Sequence, residues 1–318
     1  MAEIKIIENT SEIAAGTRGA SLGVGALKVA SMKADSDYFG RYERFKVASD
    51  NDVLFEPTVF RTAKRIDALV NIYQDVSDQV SFILGNGDFP IVLAGDHASA
   101  GGTIAGIKKA YPNKRLGIIW IDAHADLHTP YTTPSGNLHG MPLATALNED
   151  NLEEQINQPL LETIEFWGKL KKMGGIAPKV NHQDIVYIGL RDMEEPEERY
   201  IDKHGILVFR VEEVREKGCE KIAQLIDERL QPCDIVYVSF DVDSMDPDLV
   251  SRGTGTPAEN GLTPEEAGKF MDIFAGWEKS ICFEIVEINP CLDDKVNKMA
   301  ETAFDILENF TQTIEKRI

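Results

Sequence analysis

Residues 120–140 of this 318-residue chain hold a dense group of side chains that could bind a metal ion. Asp122, His124 and Asp126 alternate along the chain directly after the apolar run LGIIWI. Because side chains of an extended chain point to the same side at every second residue, these three donors can face one small volume. Carboxylate oxygens together with imidazole nitrogens are a donor set typical of a divalent metal ion.

Two other motifs repeat this arrangement elsewhere in the sequence. Asp241 and Asp243 follow the apolar run DIVYVSF, and His97 comes shortly after the run PIVLAG. Each motif alone is more often a turn or a helix cap than a metal site. Since ligands of open parallel sheets bind beyond the carboxyl ends of the strands, the three motifs together predict one shared metal site.

The elements that must position these side chains alternate between helix and strand almost to the end of the chain, which predicts an α/β fold with a parallel sheet. Predicted helices cover residues 57–84, 102–110, 141–147, 211–230, 263–275 and 293–315. Predicted strands cover residues 91–94, 116–121, 185–189, 206–209, 234–240 and 281–288. Residues 148–180 are interpreted as loop and short helix, and the glycine-rich residues 16–25 as a loop near the site. No linker rich in Pro, Gly or Ser interrupts the pattern, so we predict one domain over residues 1–318.

The composition argues against several classes of function. The net charge of -20 disfavours binding to nucleic acid or to an anionic membrane, because Lys and Arg are needed to neutralise phosphate groups. The four cysteines have no CxxC spacing, which argues against a zinc site built from thiolates. The first residues show no signal-peptide pattern, and no segment has the roughly 18 apolar residues of a membrane span. We therefore expect a cytoplasmic protein.

The motifs GDH, DAHAD, SGNLHG and SFDVDxxDP, in this order, resemble those of the ureohydrolase family, and within it the arginases most closely. The resemblance spans nearly the whole chain and includes GTRG at residues 16–19, VYIGLRD before Met193, GTGTP at residues 253–257 and EINP at residues 287–290. It implies a three-layer α/β/α fold around a mostly parallel sheet. It also implies a binuclear manganese centre and a homotrimer or homohexamer.

Carried over to this sequence, the resemblance assigns metal ligands and groups that act on the substrate. One manganese ion is expected on His97, Asp122, Asp126 and Asp241, and the other on His124, Asp122, Asp241 and Asp243. Asp126 is also expected to orient a hydroxide that bridges the two metals. His139 resembles the family's proton shuttle, and Glu287 resembles the carboxylate that pairs with a guanidinium group. On pattern alone, His139 could instead be a structural histidine and Glu287 a salt-bridge partner in the core.

The expected contacts to the far end of the substrate follow the family less closely. Ser135 and Asn137 match two positions that contact an α-carboxylate in the family. Two residues after the last aspartate of DAHAD, where arginases commonly have an asparagine, this chain has His128. The usual aspartate near the α-amino group is replaced by a glutamate, and the alignment leaves either Glu194 or Glu195 eligible. We therefore expect substrate affinity or preference to differ at this end.

The function implied by the resemblance is hydrolysis of L-arginine to L-ornithine and urea. Agmatinase, formimidoylglutamase and other guanidino-acid hydrolases of the same family are the alternatives. Ser135 and Asn137 favour arginase, because agmatine has no α-carboxylate for them to hold. A metal-binding protein that has lost catalysis is less consistent with a chain that keeps all the expected ligands and His139. A metal-dependent deacetylase would need fewer carboxylates than DAHAD and DVD supply.

Overall fold

The structure, a computed structural model, describes residues 2–318 and is built around one sheet of eight strands. The strands are β1 (Ile4–Asn9), β2 (Glu43–Val47), β3 (Phe89–Ala94), β4 (Leu116–Ile121), β5 (Ile185–Ile188), β6 (Leu207–Phe209), β7 (Ile235–Asp241) and β8 (Ser280–Val286). Their order across the sheet is β2-β1-β3-β8-β7-β4-β5-β6. Every neighbouring pair is parallel, so all the carboxyl ends lie at the same edge of the sheet.

Helices cover both faces of the sheet, which confirms the predicted three-layer α/β/α fold. They are α1 (Gly23–Lys33), α2 (Tyr38–Arg41), α3 (Ile66–Gly85), α4 (Ser99–Ala110), α5 (Pro142–Leu147), α6 (Leu161–Lys171), α7 (Glu195–His204), α8 (Val211–Lys217), α9 (Cys219–Arg229), α10 (Pro264–Ala275) and α11 (Lys298–Arg317). Helices α3 to α7 pack on one face, and α1 and α8 to α11 pack on the other. Within residues 2–318, no helix has the length and apolar character needed to cross a membrane.

Strand β4 shows why the central strands are apolar without interruption. Ile118 and Trp120 belong to the core on one face of the sheet, and Ile119 and Ile121 belong to the core on the other face. All four side chains are buried. A strand that is covered on both faces needs apolar residues at consecutive positions rather than at alternate ones. The predicted bounds of β4 are confirmed, and the DAHAD segment leaves the sheet from a tightly packed core.

Four predicted helices differ from the structure by more than one residue at an end or in continuity, and one of them, α4, begins at Ser99 rather than at residue 102. Helix α3 begins at Ile66 rather than at residue 57, because residues 57–65 form an irregular segment whose last residue, Arg65, lies in the left-handed region at φ 62°. The helix predicted over residues 211–230 is two helices, since Gly218 adopts φ 81° and interrupts it. Helix α11 begins at Lys298, later than the predicted residue 293.

Several elements lie in segments where the sequence pattern predicted none, namely β1, β2, α1, α2 and α7. Helix α7 has the sequence EPEERYIDKH and buries only Glu197, Tyr200 and Ile201. Such a polar segment carries too few apolar residues to reveal a helical period. Residues 148–180 contain α6 between loops and short 3-10 turns, in agreement with their interpretation as loop and short helix.

Candidate active site and metal centre

The predicted ligands meet at the carboxyl edge of the four central strands, which are neighbours in the order β3-β8-β7-β4. His97 follows β3, Asp122 comes directly after β4, Asp241 ends β7 and Glu287 comes directly after β8. Strands that are far apart in the sequence therefore place their side chains in one volume. The order of the sheet turns separate motifs into a single site.

The first group of donors is centred on the imidazole of His97. Its Nδ1 lies 3.0 Å from Asp122 Oδ2, 3.1 Å from Asp126 Oδ2 and 3.2 Å from Asp241 Oδ2. Its Nε2 lies 2.8 Å from Ser239 Oγ. In the tautomer that donates from Nε2 to Ser239, Nδ1 presents a lone pair to three carboxylate oxygens. Because like charges repel strongly in a buried site, this group requires a cation for stability.

Several buried atoms of this group lack hydrogen-bond partners, as is typical of a metal site. Among residues 2–318, His97 Nδ1, Asp122 Oδ2 and Asp126 Oδ2 are buried and make no hydrogen bond, although they lie close together. Buried polar atoms are rarely left unpaired in a native protein. One imidazole and three carboxylates suit manganese, whereas a closed zinc site would recruit thiolates. The residues present therefore fit a bound divalent metal ion.

A second group of donors shares Asp122 with the first. His124 Nδ1 lies 3.0 Å from Asp243 Oδ2 and 3.5 Å from Asp122 Oδ1. Asp243 Oδ2 also accepts a hydrogen bond of 2.9 Å from Thr256 Oγ1. The structure thus contains two adjacent groups of His and Asp donors, and each group could hold a metal ion.

Backbone groups fix the carboxylates in place. Asp122 Oδ1 accepts a hydrogen bond of 2.7 Å from the backbone nitrogen of His124, and Asp241 Oδ1 accepts one of 2.8 Å from the backbone nitrogen of Asp243. Asp126 adopts φ 53°, a left-handed conformation that costs a non-glycine residue about 1 kcal/mol or more. The surrounding fold holds Asp126 in this strained conformation, which is common for residues of active sites.

His139 and Glu287 form a pair beside the first group of donors. His139 Nδ1 lies 3.0 Å from Glu287 Oε1, which also accepts a hydrogen bond of 3.0 Å from the backbone nitrogen of His97. Burial lowers the pKa of His139, but the charge and hydrogen bond of Glu287 together with the charges of Asp126 and Asp96 outweigh burial and raise this pKa to about 9. The Nε2 atom of His139 is not used in the contact with Glu287. The other oxygen of Glu287, Oε2, has no hydrogen-bond partner among residues 2–318.

These groups form the inner part of a cavity of about 300 Å³. The predicted site residues that line this cavity are His97, His124, Asp126, His128, Ser135, Asn137, His139, Glu194, Asp241 and Asp243. Asp122 and Glu287 lie behind its wall and contact residues that form it. Glu195 is not brought to the cavity: its exposed side chain pairs with Arg199. Of the two eligible glutamates, only Glu194 faces the cavity.

His128 is held by acidic residues rather than standing free in the cavity. Its Nε2 lies 3.0 Å from Glu194 Oε2 and 3.4 Å from Glu197 Oε2, and its Nδ1 lies 3.2 Å from Thr132 Oγ1. Burial lowers the pKa of His128, but the hydrogen bond with Glu194 together with the charges of Glu197, Glu194 and Asp126 outweighs burial and raises this pKa. At the position where the family resemblance led us to expect an asparagine, His128 is therefore paired with Glu194.

Six residues of the cavity wall were not among the predicted site residues, namely Thr133, Pro134, Gly140, Asp192, Glu197 and Thr256. Asp192 ends the motif VYIGLRD, and Thr256 lies in GTGTP, so both motifs were noticed without a role for these side chains. Glu197 lies three residues after Glu194 and forms a capping box with it at the start of α7. The spacing E-x-x-E was the available signal, but α7 itself was not predicted.

A three-layer α/β/α fold with adjacent groups of metal donors and a histidine in one cavity defines a candidate metal-dependent hydrolase. The model of the Arginase family matches residues 3–312, and the chain belongs to this family of hydrolases.

Known relatives agree with this membership. The arginase of Bacillus subtilis (strain 168) is 32% identical over 315 residues, which cover 96% of this chain and 96% of that protein. A crystal structure of arginase from Bacillus subtilis subsp. subtilis str. 168 has a TM-score of 0.82 at 30% identity and covers 97% of this chain and 98% of that one. The formimidoylglutamase of the same strain has a TM-score of 0.74 at 20% identity, covers 99% of this chain and 88% of that one, and shares the fold.

Proposed function

We propose that this protein hydrolyses L-arginine to L-ornithine and urea. The observation that carries the proposal is the adjacency of His139 to buried donors of His97, Asp122 and Asp126 that have no hydrogen-bond partner among residues 2–318. A proton-carrying imidazole next to a metal centre is what hydrolysis of a guanidinium group requires. The names of the relatives at 32% identity support the same reaction.

We propose two manganese ions as the cofactor. The first would be held by His97, Asp122, Asp126 and Asp241, and the second by His124, Asp122, Asp241 and Asp243. Two bound divalent cations would supply the Lewis acidity that allows water to lose a proton near neutral pH and to attack a resonance-stabilised carbon. Asp122 contacts both His97 and His124, so it would belong to both groups of donors.

The chain's own residues would hold the guanidinium group and move the proton. His139 lines the cavity with its Nδ1 occupied by Glu287, which leaves Nε2 to donate a proton to the departing nitrogen. Glu287 would keep the imidazole oriented and protonated. Its unpaired Oε2 is the atom that could accept from a guanidinium N–H, as the resemblance implies.

The residues that line the cavity include groups suited to both charges of an amino acid. Asp192, Glu194 and Glu197 supply carboxylates to an α-ammonium group, whereas Ser135 and Asn137 supply a hydroxyl and an amide to an α-carboxylate. Agmatine has no carboxylate and would leave the second set unused. This complementarity favours L-arginine over agmatine.

A substrate panel tests the proposal. Urea or formamide release is measured from L-arginine, agmatine, 4-guanidinobutyrate and formimidoylglutamate after loading with Mn²⁺. We expect the highest kcat/KM with L-arginine. Faster turnover of agmatine than of L-arginine would indicate an agmatinase, and faster turnover of formimidoylglutamate would indicate a formimidoylglutamase. The absence of product from all four substrates would indicate a non-catalytic metal-binding protein.

The remaining expectations from the family resemblance stay predictions. These are a single catalytic domain over residues 1–318, a cytoplasmic location, and assembly as a homotrimer or homohexamer. Sedimentation velocity of the full chain checks the assembly, since a monomer, a homotrimer and a homohexamer differ from one another at least twofold in mass.

A further inference from the structure

Lys64 contacts the part of the cavity that is expected to bind a carboxylate. Its Nζ donates a hydrogen bond of 3.1 Å to Asn137 Oδ1, and its backbone nitrogen donates one of 2.8 Å to the carbonyl oxygen of Gly136. Lys64 belongs to the irregular segment 57–65 that precedes α3, and its side chain is half-buried. No sequence motif singled it out.

Two glycines allow Asn137 and Lys64 to meet. A Cβ on Gly16 would lie 2.6 Å from Asn137 Nδ2, and a Cβ on Gly136 would lie 2.0 Å from the carbonyl oxygen of Arg61. Gly136 also adopts φ 75°, which a residue with a side chain adopts at a cost. The side-chain amide of Asn137 is therefore closely packed between Gly16 and Lys64.

The ammonium group of Lys64 fixes the orientation of the side-chain amide of Asn137, a residue that lines the cavity. An amide has an acceptor oxygen and a donor nitrogen, and it can exchange them by rotating through half a turn. Because an ammonium group can only donate, it holds Oδ1 toward itself and leaves Nδ2 as the donor. A carboxylate needs donors, so the orientation fixed by Lys64 is the one that can bind it.

The charges around Lys64 favour the same ligand. Among residues 2–318, Lys64, Arg18 and Arg65 form no ion pair with a carboxylate; Arg18 and Arg65 donate to backbone carbonyls instead. Burial and the charge of Arg18 both lower the pKa of Arg65, as expected for two cations near one another. A group of unpaired cations in a chain of net charge -20 marks a place for an anion.

We propose that Lys64 is a specificity-determining residue that positions Asn137 to recognise the carboxylate of the substrate. Lys64 acts through Asn137, so it selects guanidino substrates that carry a carboxylate without taking part in the cleavage. This inference rests on the proposed function and deepens it.

The test compares substrates with and without a carboxylate. We expect Lys64→Met, which keeps the length of the side chain and removes its charge, to raise KM for L-arginine about tenfold with kcat almost unchanged. The kinetics with agmatine should stay as in the wild type. Lys64→Arg should restore most of the affinity for L-arginine, because a guanidinium group also donates to Oδ1. Arg61→Met is the matched control: it removes a neighbouring exposed cation and should leave both substrates unaffected.

A binding measurement keeps this inference separate from the proposed function. Calorimetry of the Mn²⁺-loaded protein gives the Kd of L-ornithine, which carries the carboxylate, and of putrescine, which lacks it. Lys64→Met should weaken L-ornithine about tenfold and leave putrescine unchanged, whether or not urea is released. Equal losses for both ligands, an unchanged Kd for L-ornithine, or an equal effect of Arg61→Met would each overturn the inference. A wild-type protein that binds L-ornithine but releases no urea would overturn the proposed function alone.

Discussion

Ser239→Ala should weaken metal binding at the first group of donors and spare the second. Ser239 is fully buried on β7, and its Oγ is the hydrogen-bond partner of His97 Nε2 at 2.8 Å. Trp120 stacks on the imidazole with 4.1 Å between ring centroids, so it fixes the plane of the ring. Ser239 fixes the rotation within that plane and the tautomer, and thereby directs the Nδ1 lone pair to the metal.

The expected magnitude follows from the loss of this hydrogen bond. A buried N–H group without a partner costs about 1–3 kcal/mol, and the loss of an outer contact to a ligating histidine typically lowers metal affinity about 10- to 100-fold. At 1.36 kcal/mol per tenfold change, the two ranges agree. We therefore expect the Kd of one Mn²⁺ ion to rise about 10- to 100-fold. His124 does not contact Ser239, so the Kd of the other ion should change little.

Titration of the metal-free protein with Mn²⁺ checks this result, with bound metal counted by elemental analysis and by electron paramagnetic resonance. Ser280→Ala is the matched control, because Ser280 is equally buried at the start of β8 and its Oγ has no hydrogen-bond partner among residues 2–318. The reasoning would be refuted if both ions were weakened to the same extent, or if Ser280→Ala had the same effect as Ser239→Ala.

Three further predictions concern catalysis, affinity and pH. His139→Ala should lower kcat by about 100-fold or more, because a general acid is lost. Elemental analysis should still find the wild-type metal content; loss of half the metal would indicate that His139 is a metal ligand. His128→Asn should change KM for L-arginine with kcat largely retained, since His128 contacts Glu194 and Glu197 rather than a metal-donor group; steady-state kinetics in which only kcat falls would contradict this role. Burial lowers the pKa of Lys179 from 10.5 to about 8 in the folded state. The unfolded chain therefore binds the proton more tightly, and the free energy of unfolding should rise by about 3 kcal/mol from this group between pH 8 and 10.5. Denaturant unfolding across this pH range should show a smaller rise in the free energy of unfolding for Lys179→Met than for the wild type. If this free energy rose equally with pH in both proteins, the pKa of Lys179 would not be lowered by burial.

The sequence predicted those parts of the fold in which local pattern and burial coincide. Strand β4 was located to the residue because its apolar run is buried on both faces of the sheet. Helix α7 was missed because most of its residues are polar, and α3 was extended too far because the left-handed conformation of Arg65 has no clear signal in the residue types. A local pattern reports how a segment is buried, and it is weak where the segment lies at the surface.

The metal donors were the most predictable part of the candidate site. Their residue types, their alternate spacing and their position after apolar strands are all local properties of the sequence, and metal coordination restricts them strongly. The substrate end was less predictable. That Glu194 and not Glu195 faces the cavity depends on where α7 begins, and the pairing of His128 with Glu194 joins residues 66 positions apart.

The sequence by itself determined the chemistry that is available: the donors, the strands that carry them and the histidine that can move a proton. Only the tertiary structure decided which side chains share a volume, because the order β3-β8-β7-β4 brings together strand ends that are distant in the chain. The contact of Lys64 with Asn137 is of this second kind, since no spacing connects an irregular segment before α3 to a loop after β4. A sequence motif relates only residues that are close together along the chain. Specificity for a substrate depends on residues that are close together in space, and these are often distant in the sequence.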